Sequence, residues 1–263
     1  TEIKVGEDGE KQESEAKNSS EKATEAESEA KGKEAGGKEK KDLTVISGTI
    51  TDAAGKTLYL ETTDTDEPQL IDSVTLDEKG RFRFRREAHS YPAFYRLRLG
   101  ESFIPFAADS VTHLTLSASG KDLFSTYKIE SGDEANKQIR EIGQLRTATD
   151  KAIEAILTQL NKGTLDRGIA LARIDSLSTQ LKNTLTSKYI FSDPKGAAAY
   201  YALFQSYLGG TYFSIDHPGD DRAFAAVATA YDAFHPNAPY TPLLKQAALR
   251  SIAMARARQR EAH

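Results

Sequence analysis

At Lys41 the sequence changes character abruptly. The residues up to that point are almost all Glu, Lys, Ser, Ala and Gly, with Ile3 and Val5 as the only large aliphatic side chains, whereas those that follow alternate apolar and polar residues with a period of two. A segment of the first kind cannot bury enough apolar surface to offset its chain entropy, so 1–41 is expected to be a disordered tether. Residues 21–33 have helix-forming composition but no apolar stripe to hold a helix against anything. As a random coil such a tether spans about 35 Å, with an extended limit of roughly 140 Å.

The alternation predicts short strands over 43–51, 56–61, 70–76, 81–85, 94–99, 102–107, 111–116 and 124–130, with Gly55 and Gly80 placed where hairpin turns favour a positive φ. The runs lie too close together for crossover helices, so the strands are expected to pair antiparallel as a sandwich or open barrel. From Ser131 the period becomes helical. Ser131 and Glu134 stand in capping-box spacing, and Ile139, Ile142, Leu145, Ile153, Ile156, Leu157 and Leu160 recur on one face of a helix ending near Gly163. A second helix is predicted over 165–189 and a third with Pro194 in its first turn, ended by Gly209 and Gly210. A fourth is predicted over 221–234, and a fifth after the proline-rich 236–242. The fold class is therefore α+β: a disordered tether at 1–41, an antiparallel β domain at 42–130, and an all-helical domain of about five helices at 131–263.

Composition narrows the chemistry. Cysteine is absent from the 263 residues, which removes disulfides, thiolate metal sites and cysteine nucleophiles. With 35 basic and 39 acidic residues the formal net charge is −4, so no global field favours nucleic acid. The longest apolar stretches, 197–208 and 223–230, fall short of the roughly 20 residues a membrane-spanning helix needs.

The strand region has a recognisable texture. Ile46-Ser-Gly48-Thr-Ile50, Leu58-Tyr59-Leu60, Ile71-Asp72-Ser73, Asp77-Glu-Lys-Gly80-Arg-Phe82-Arg-Phe84 and Pro92-Ala-Phe94-Tyr95 occur in that order, and together they resemble the domain of unknown function that opens many Bacteroidetes lipoproteins. The resemblance extends to about Arg260. Residues 191–199 are similar to the family's I-x-x-N-P-x-S-x-A turn, and His235-Pro236-Asn237 is similar to its Y-P-x-S. It implies an envelope location, a lipidated cysteine ahead of the tether and, in many members, a following thioredoxin-like domain of the TlpA or AhpC type. This chain has no CxxC and no βαβ pattern, so either the protein stops here or the chain precedes such a domain.

Candidate site residues were weighed against bland roles. Five histidines, His89, His113, His217, His235 and His263, show no metal-ligand spacing. Asp216, His217, Asp220 and Asp221 could offer mixed ligands, but an aspartate before Arg222 suits a helix N-cap and Pro218-Gly219 a turn, and the capping role is preferred. Asp64, Asp66 and Glu67 read as an acidic hairpin tip. Ser73, Ser102 and Ser131 lack a G-x-S-x-G elbow, and no phosphate-binding glycine loop occurs. Arg81, Arg83 and Arg85 alternate with Phe82 and Phe84, as Arg96 and Arg98 do with Tyr95, Leu97 and Leu99; on neighbouring strands they would form a positive stripe for carboxylates, phosphate or an acidic partner, and otherwise a face balanced by cross-strand acids. Arg250, Arg256, Arg258 and Arg260 suit the end of the last helix. Tyr200, Tyr201, Tyr207 and Tyr212 are the aromatic candidates for a recognition surface, with core packing as the alternative. The functional expectation is a non-enzymatic envelope lipoprotein module, without cofactor or metal, that binds or scaffolds a protein partner. It meets the membrane through a lipid anchor only, does not bind nucleic acid, and leaves any small-molecule ligand open. The alternative is the non-catalytic N-terminal region of a thiol–disulfide oxidoreductase.

Overall fold

The computed structural model describes residues 42–64, 67–110, 112–131, 133–207 and 209–261. The charged segment 1–41, expected as a tether, lies outside the described residues, as do Asp66, Val111 and His263. The alternating region forms β1 (Leu43–Thr51), β2 (Thr57–Thr62), β3 (Gln69–Thr75), β4 (Arg81–Glu87), β5 (Ala93–Leu99), β6 (Ser102–Ala108) and β7 (His113–Ser119), followed by the short helix α1 (Leu123–Thr126) and the two-residue β8 (Lys128–Ile129). These strands build two sheets, in the orders β4-β1-β7-β8 and β3-β2-β5-β6. The apolar members of each alternation meet between the sheets: Ile46, Phe82, Phe84 and Leu116 from one pack in the same core as Leu58, Leu60, Leu97 and Ile104 from the other. A sandwich forms, not a closed barrel.

Two features depart from the expected all-antiparallel arrangement. β1 and β7 run parallel, from Val45 opposite His113 to Thr51 opposite Ser119. Short spacing excludes a parallel partner only for strands adjacent in sequence; here the strands of the other sheet supply the long connection that a parallel pair requires. Gly48 sits on this pair, and a Cβ there would lie 1.9 Å from the Leu116 carbonyl oxygen. The run 124–130 is also mostly not strand. Asp122 caps α1 by accepting from Ser125 N, and only Lys128–Ile129 pairs with β7.

Five helices follow the sandwich: α2 (Glu134–Asn161), α3 (Arg167–Leu185), α4 (Ala197–Leu203), α5 (Asp221–Phe234) and α6 (Thr241–Glu261). A π turn at Thr186–Ile190 continues α3, and a small hairpin, β9 (Ser206–Tyr207) with β10 (Gly210–Thr211), separates α4 from α5. Asp133, not Ser131, caps α2 by accepting from Asn136 N, and Asp166 caps α3 through Gly168 N and Ile169 N. α4 begins after Pro194 and stops at Leu203. Gly209, with φ of 77°, turns the hairpin instead of ending a helix, so Tyr207 is a strand residue.

The described residues form one compact unit. α2 runs beside β6, the last strand of its sheet, and the buried Asn136 side chain stands in for the next strand: Ala107 N donates to Oδ1 and Nδ2 donates to Ala107 O, both at 2.8 Å. Phe94 and Ala107 of the sandwich belong to the same apolar cluster as Tyr189, Tyr231 and Tyr240 of the helical part, and Tyr240 Oη donates to Pro92 O. Among the described residues no helix is long and apolar enough to cross a membrane.

Candidate functional site

The helical part carries an open cleft of about 640 Å³. Its floor is built by helical spacing: Ile153 and Leu157 one turn apart on α2, and Ile174, Ser178, Lys182 and Thr186 at every fourth position of α3 and the π turn. The hairpin and the loop that follows supply the opposite wall, with Tyr207, Tyr212 and Phe213, and Phe191 adds a half-exposed ring. Backbone bonding holds the hairpin in register, since Gly210 pairs with Tyr207 and Tyr212 N donates to Gln205 O at 3.0 Å. The loop is tied to the last helix by Arg258, which donates to Asp216 O at 2.9 Å.

Lys182 and Asp220 hold each other in the cleft, whereas Asp175 and Arg222 line it as exposed side chains. Asp220 is 5% exposed, lies 2.6 Å from Lys182 Nζ through Oδ1, and accepts from the same ammonium at 2.9 Å and from Ser214 N at 2.9 Å through Oδ2. His217 Nδ1 lies 3.4 Å from Lys182 Nζ and 3.5 Å from Asp220 Oδ1, and the ammonium sits 5.4 Å from the Phe213 ring centre. Asp220 occupies the N-cap position of α5 but makes no side-chain capping bond, which corrects the capping role expected for it. A buried carboxylate gains more from an ammonium and a loop amide than from a helix end. Asp221 is the acidic residue of the first turn of α5. Deeper in, Tyr212 Oη and Arg146 both donate to Asp150 at 2.6 Å. Burial pushes the Tyr212 phenol well above its ordinary value, and the bond to Asp150 pushes it further. Among the described residues no group of three or more His, Asp and Glu side chains is placed to hold a metal ion.

The other sequence candidates separate. Tyr207 and Tyr212 line the cleft, whereas Tyr200 packs against the apolar cluster, 4.9 Å from the Phe94 ring and 4.5 Å from Tyr240, and burial raises the phenols of both Tyr200 and Tyr201. The tyrosines therefore do not form one surface. Nor do the arginines form one stripe, because β4 and β5 belong to different sheets. Arg96 and Arg98 on β5 are drawn to Glu61 of β2, at 2.5 and 2.7 Å, with Arg98 over the Tyr59 ring and Arg96 over Phe103. Arg81, Arg83 and Arg85 stand exposed on β4, and of these Arg81 pairs with Asp77 at 2.7 Å. Asp64 lies in the loop joining the antiparallel β2 and β3, as expected, but it is half-buried and accepts from Phe94 N at 2.7 Å.

The order of these strands, with Gly48 against β7 and the Asp77–Gly80 turn leading into the arginine strand, can be set against known families. Residues 44–138 match the family model of a domain of unknown function, DUF4369. This is the family that the strand motifs resemble. No curated protein and no solved structure matches the chain. The DUF4369 match runs from β1 into the second turn of α2, so it takes in the whole sandwich, Asn136 included, and ends before the first cleft residue, Ile153. Lys182, Asn183 and Ser178 were not singled out from the sequence, nor was Glu61 in the DUF4369 sandwich. A lysine on the half-buried stripe of α3 and a glutamate at an outward position of β2 were the available signals. Each needs its partner strand or loop to be known before it means anything.

Proposed function

We propose that this chain is a non-catalytic binding module of the cell envelope, with the sandwich as a rigid mount and the cleft of the helical part as the place where a partner or ligand sits. The observation that carries this reading is the character of the cleft. Lys182, Asp220 and Ser214 satisfy one another, which leaves aromatic rings, the hydroxyl and amide groups of Ser178, Thr179 and Asn183, and the exposed Asp175 and Arg222 side chains to meet an occupant. A largely apolar, aromatic lining with a few placed polar groups is the usual make-up of a pocket that takes a ligand. The envelope setting, with a lipid anchor ahead of the tether, rests on the family likeness of the sandwich motifs.

The test is capture from native envelope membranes by wild-type protein and by Thr179→Arg, an exposed position on α3 where a long side chain fills the cleft without disturbing the core. One stoichiometric protein or small molecule, identified by mass spectrometry, is expected with wild type and reduced about tenfold or more with the variant, the effect of roughly 1.4 kcal/mol. Equal recovery by both would remove the cleft from the proposal. Mixed-disulfide clients, captured only with a redox domain attached, would favour the oxidoreductase region instead.

A further inference from the structure

The sandwich has an open edge at β4. β4 ends its sheet and pairs only with β1 among the described residues. In an antiparallel pair, alternate residues bond inward to the partner strand and the others point their N–H and C=O outward. The bonds flanking the pair, Ile50 N to Gly80 O and Ala88 N to Asp42 O, fix the phase: Phe82, Phe84 and Arg86 face β1, and Arg81, Arg83 and Arg85 turn their backbone groups to the free edge. At Arg81 these are used by the turn, since its N–H donates to Asp77 Oδ1. At Arg83 and Arg85 no hydrogen bond occupies them among the described residues.

The same two residues have exposed side chains without a carboxylate partner among the described residues. Their cross-strand neighbours are uncharged: Ser47 beside Arg83 and Val45 beside Arg85, followed on β7 by Thr115 and His113. Asp77 is engaged with Arg81 and Glu130 with Ser117 Oγ, and Glu87 at the end of the strand also has a partner. Contrast β5, where the Glu61 carboxylate occupies both arginines. Open main-chain groups and uncompensated guanidinium groups thus coincide at Arg83 and Arg85.

We infer that the β4 edge receives an extended acidic segment of a partner protein as an added antiparallel strand. Its backbone bonds to Arg83 and Arg85, and carboxylates at alternate positions lie on the arginine face. Strand addition puts residues opposite Arg83 and Arg85 on the same face as their guanidinium groups, about 5.5 Å away at Cα, so a period-two acidic sequence meets both charges. Like charge excludes a second copy of this edge and uncharged strands gain nothing from the arginines, so the surface selects by sign as well as by main-chain pairing. This contact is independent of the cleft.

The test uses the full chain and two synthetic peptides of equal composition, one alternating threonine and glutamate and one with its glutamates contiguous. The alternating peptide is expected to bind, to protect the Arg83 and Arg85 amides from hydrogen exchange, and to weaken at least tenfold against Arg83→Ser/Arg85→Ser. Arg83→Glu/Arg85→Glu should reverse the preference and bind an alternating threonine–lysine peptide. Absence of binding, equal binding of the contiguous peptide, unchanged amide exchange, or affinity only for vesicles of phosphatidylglycerol and phosphatidylcholine would each overturn the proposal.

Discussion

Asn136→Leu is expected to lower stability by about 3 kcal/mol, although leucine fills nearly the same volume. Asn136 is 1% exposed, and among the described residues its amide is the partner of both main-chain groups of Ala107 that face α2. The substitution leaves a buried N–H and a buried C=O unsatisfied, each costing roughly 1–3 kcal/mol. It also removes the Asp133 Oδ2 contact that orients the amide at 2.8 Å. Urea unfolding measures the change, and hydrogen exchange at Ala107 locates it. A loss below about 1 kcal/mol would mean that the edge of β6 is satisfied in some other way.

Glu61→Leu should cost a similar amount, about 3 kcal/mol, the low end for removing one partner of a buried ion pair, because its arginines keep some contact with solvent. The Glu61 side chain is 7% exposed, against 23% for Arg96 and 30% for Arg98. Burial alone would raise the Glu61 carboxyl, but hydrogen bonds from Arg98 and Arg96, together with their charges, outweigh it and hold the group below the ordinary carboxylate value. A folded-state value lower than the unfolded one stabilises the protein above the ordinary carboxylate range, and that stability is lost as pH falls through the lowered folded value. The gap between wild type and Glu61→Leu should therefore be widest near neutral pH and close in acid. A gap constant with pH would assign the loss to packing instead of charge.

Most of the strands were legible because period-two alternation reports burial directly; β1 and α5 match the predicted spans, and the other strands through β7 shift at their ends by up to a few residues. Three of the failures share a cause. The parallel β1–β7 pair, the salt bridges of Glu61, and the diversion of Asp220 from its cap all depend on which distant segment arrives alongside, and local pattern contains nothing about that. Run 124–130 failed differently, since Asp122 supplies a cap within three residues of Ser125 and a local helical turn wins over strand propensity. For the cleft, the sequence offered the tyrosines as one aromatic group. The end of α4 at Leu203 divides them: Tyr200, on the helix, packs against the apolar cluster, while Tyr207 and Tyr212, in and after the hairpin, reach the cleft wall.

The parallel pairing of β1 with β7 also sets a timetable for the newly made polypeptide. β2, β3, β5 and β6 can assemble from hairpins of neighbours in sequence, and β1 can take β4 on one side, but its other side stays vacant until His113–Ser119 has emerged. Closing so long a loop is slow, and through that interval a strand bearing Ile46 and Ile50 has an unpaired edge. Pulse-labelled exchange during refolding should find β2 and β5 amides protected before those that join β1 to β7. β1, made before the rest of the sandwich, thus spends the longest time incomplete, which makes it the point at which a chaperone has most to guard.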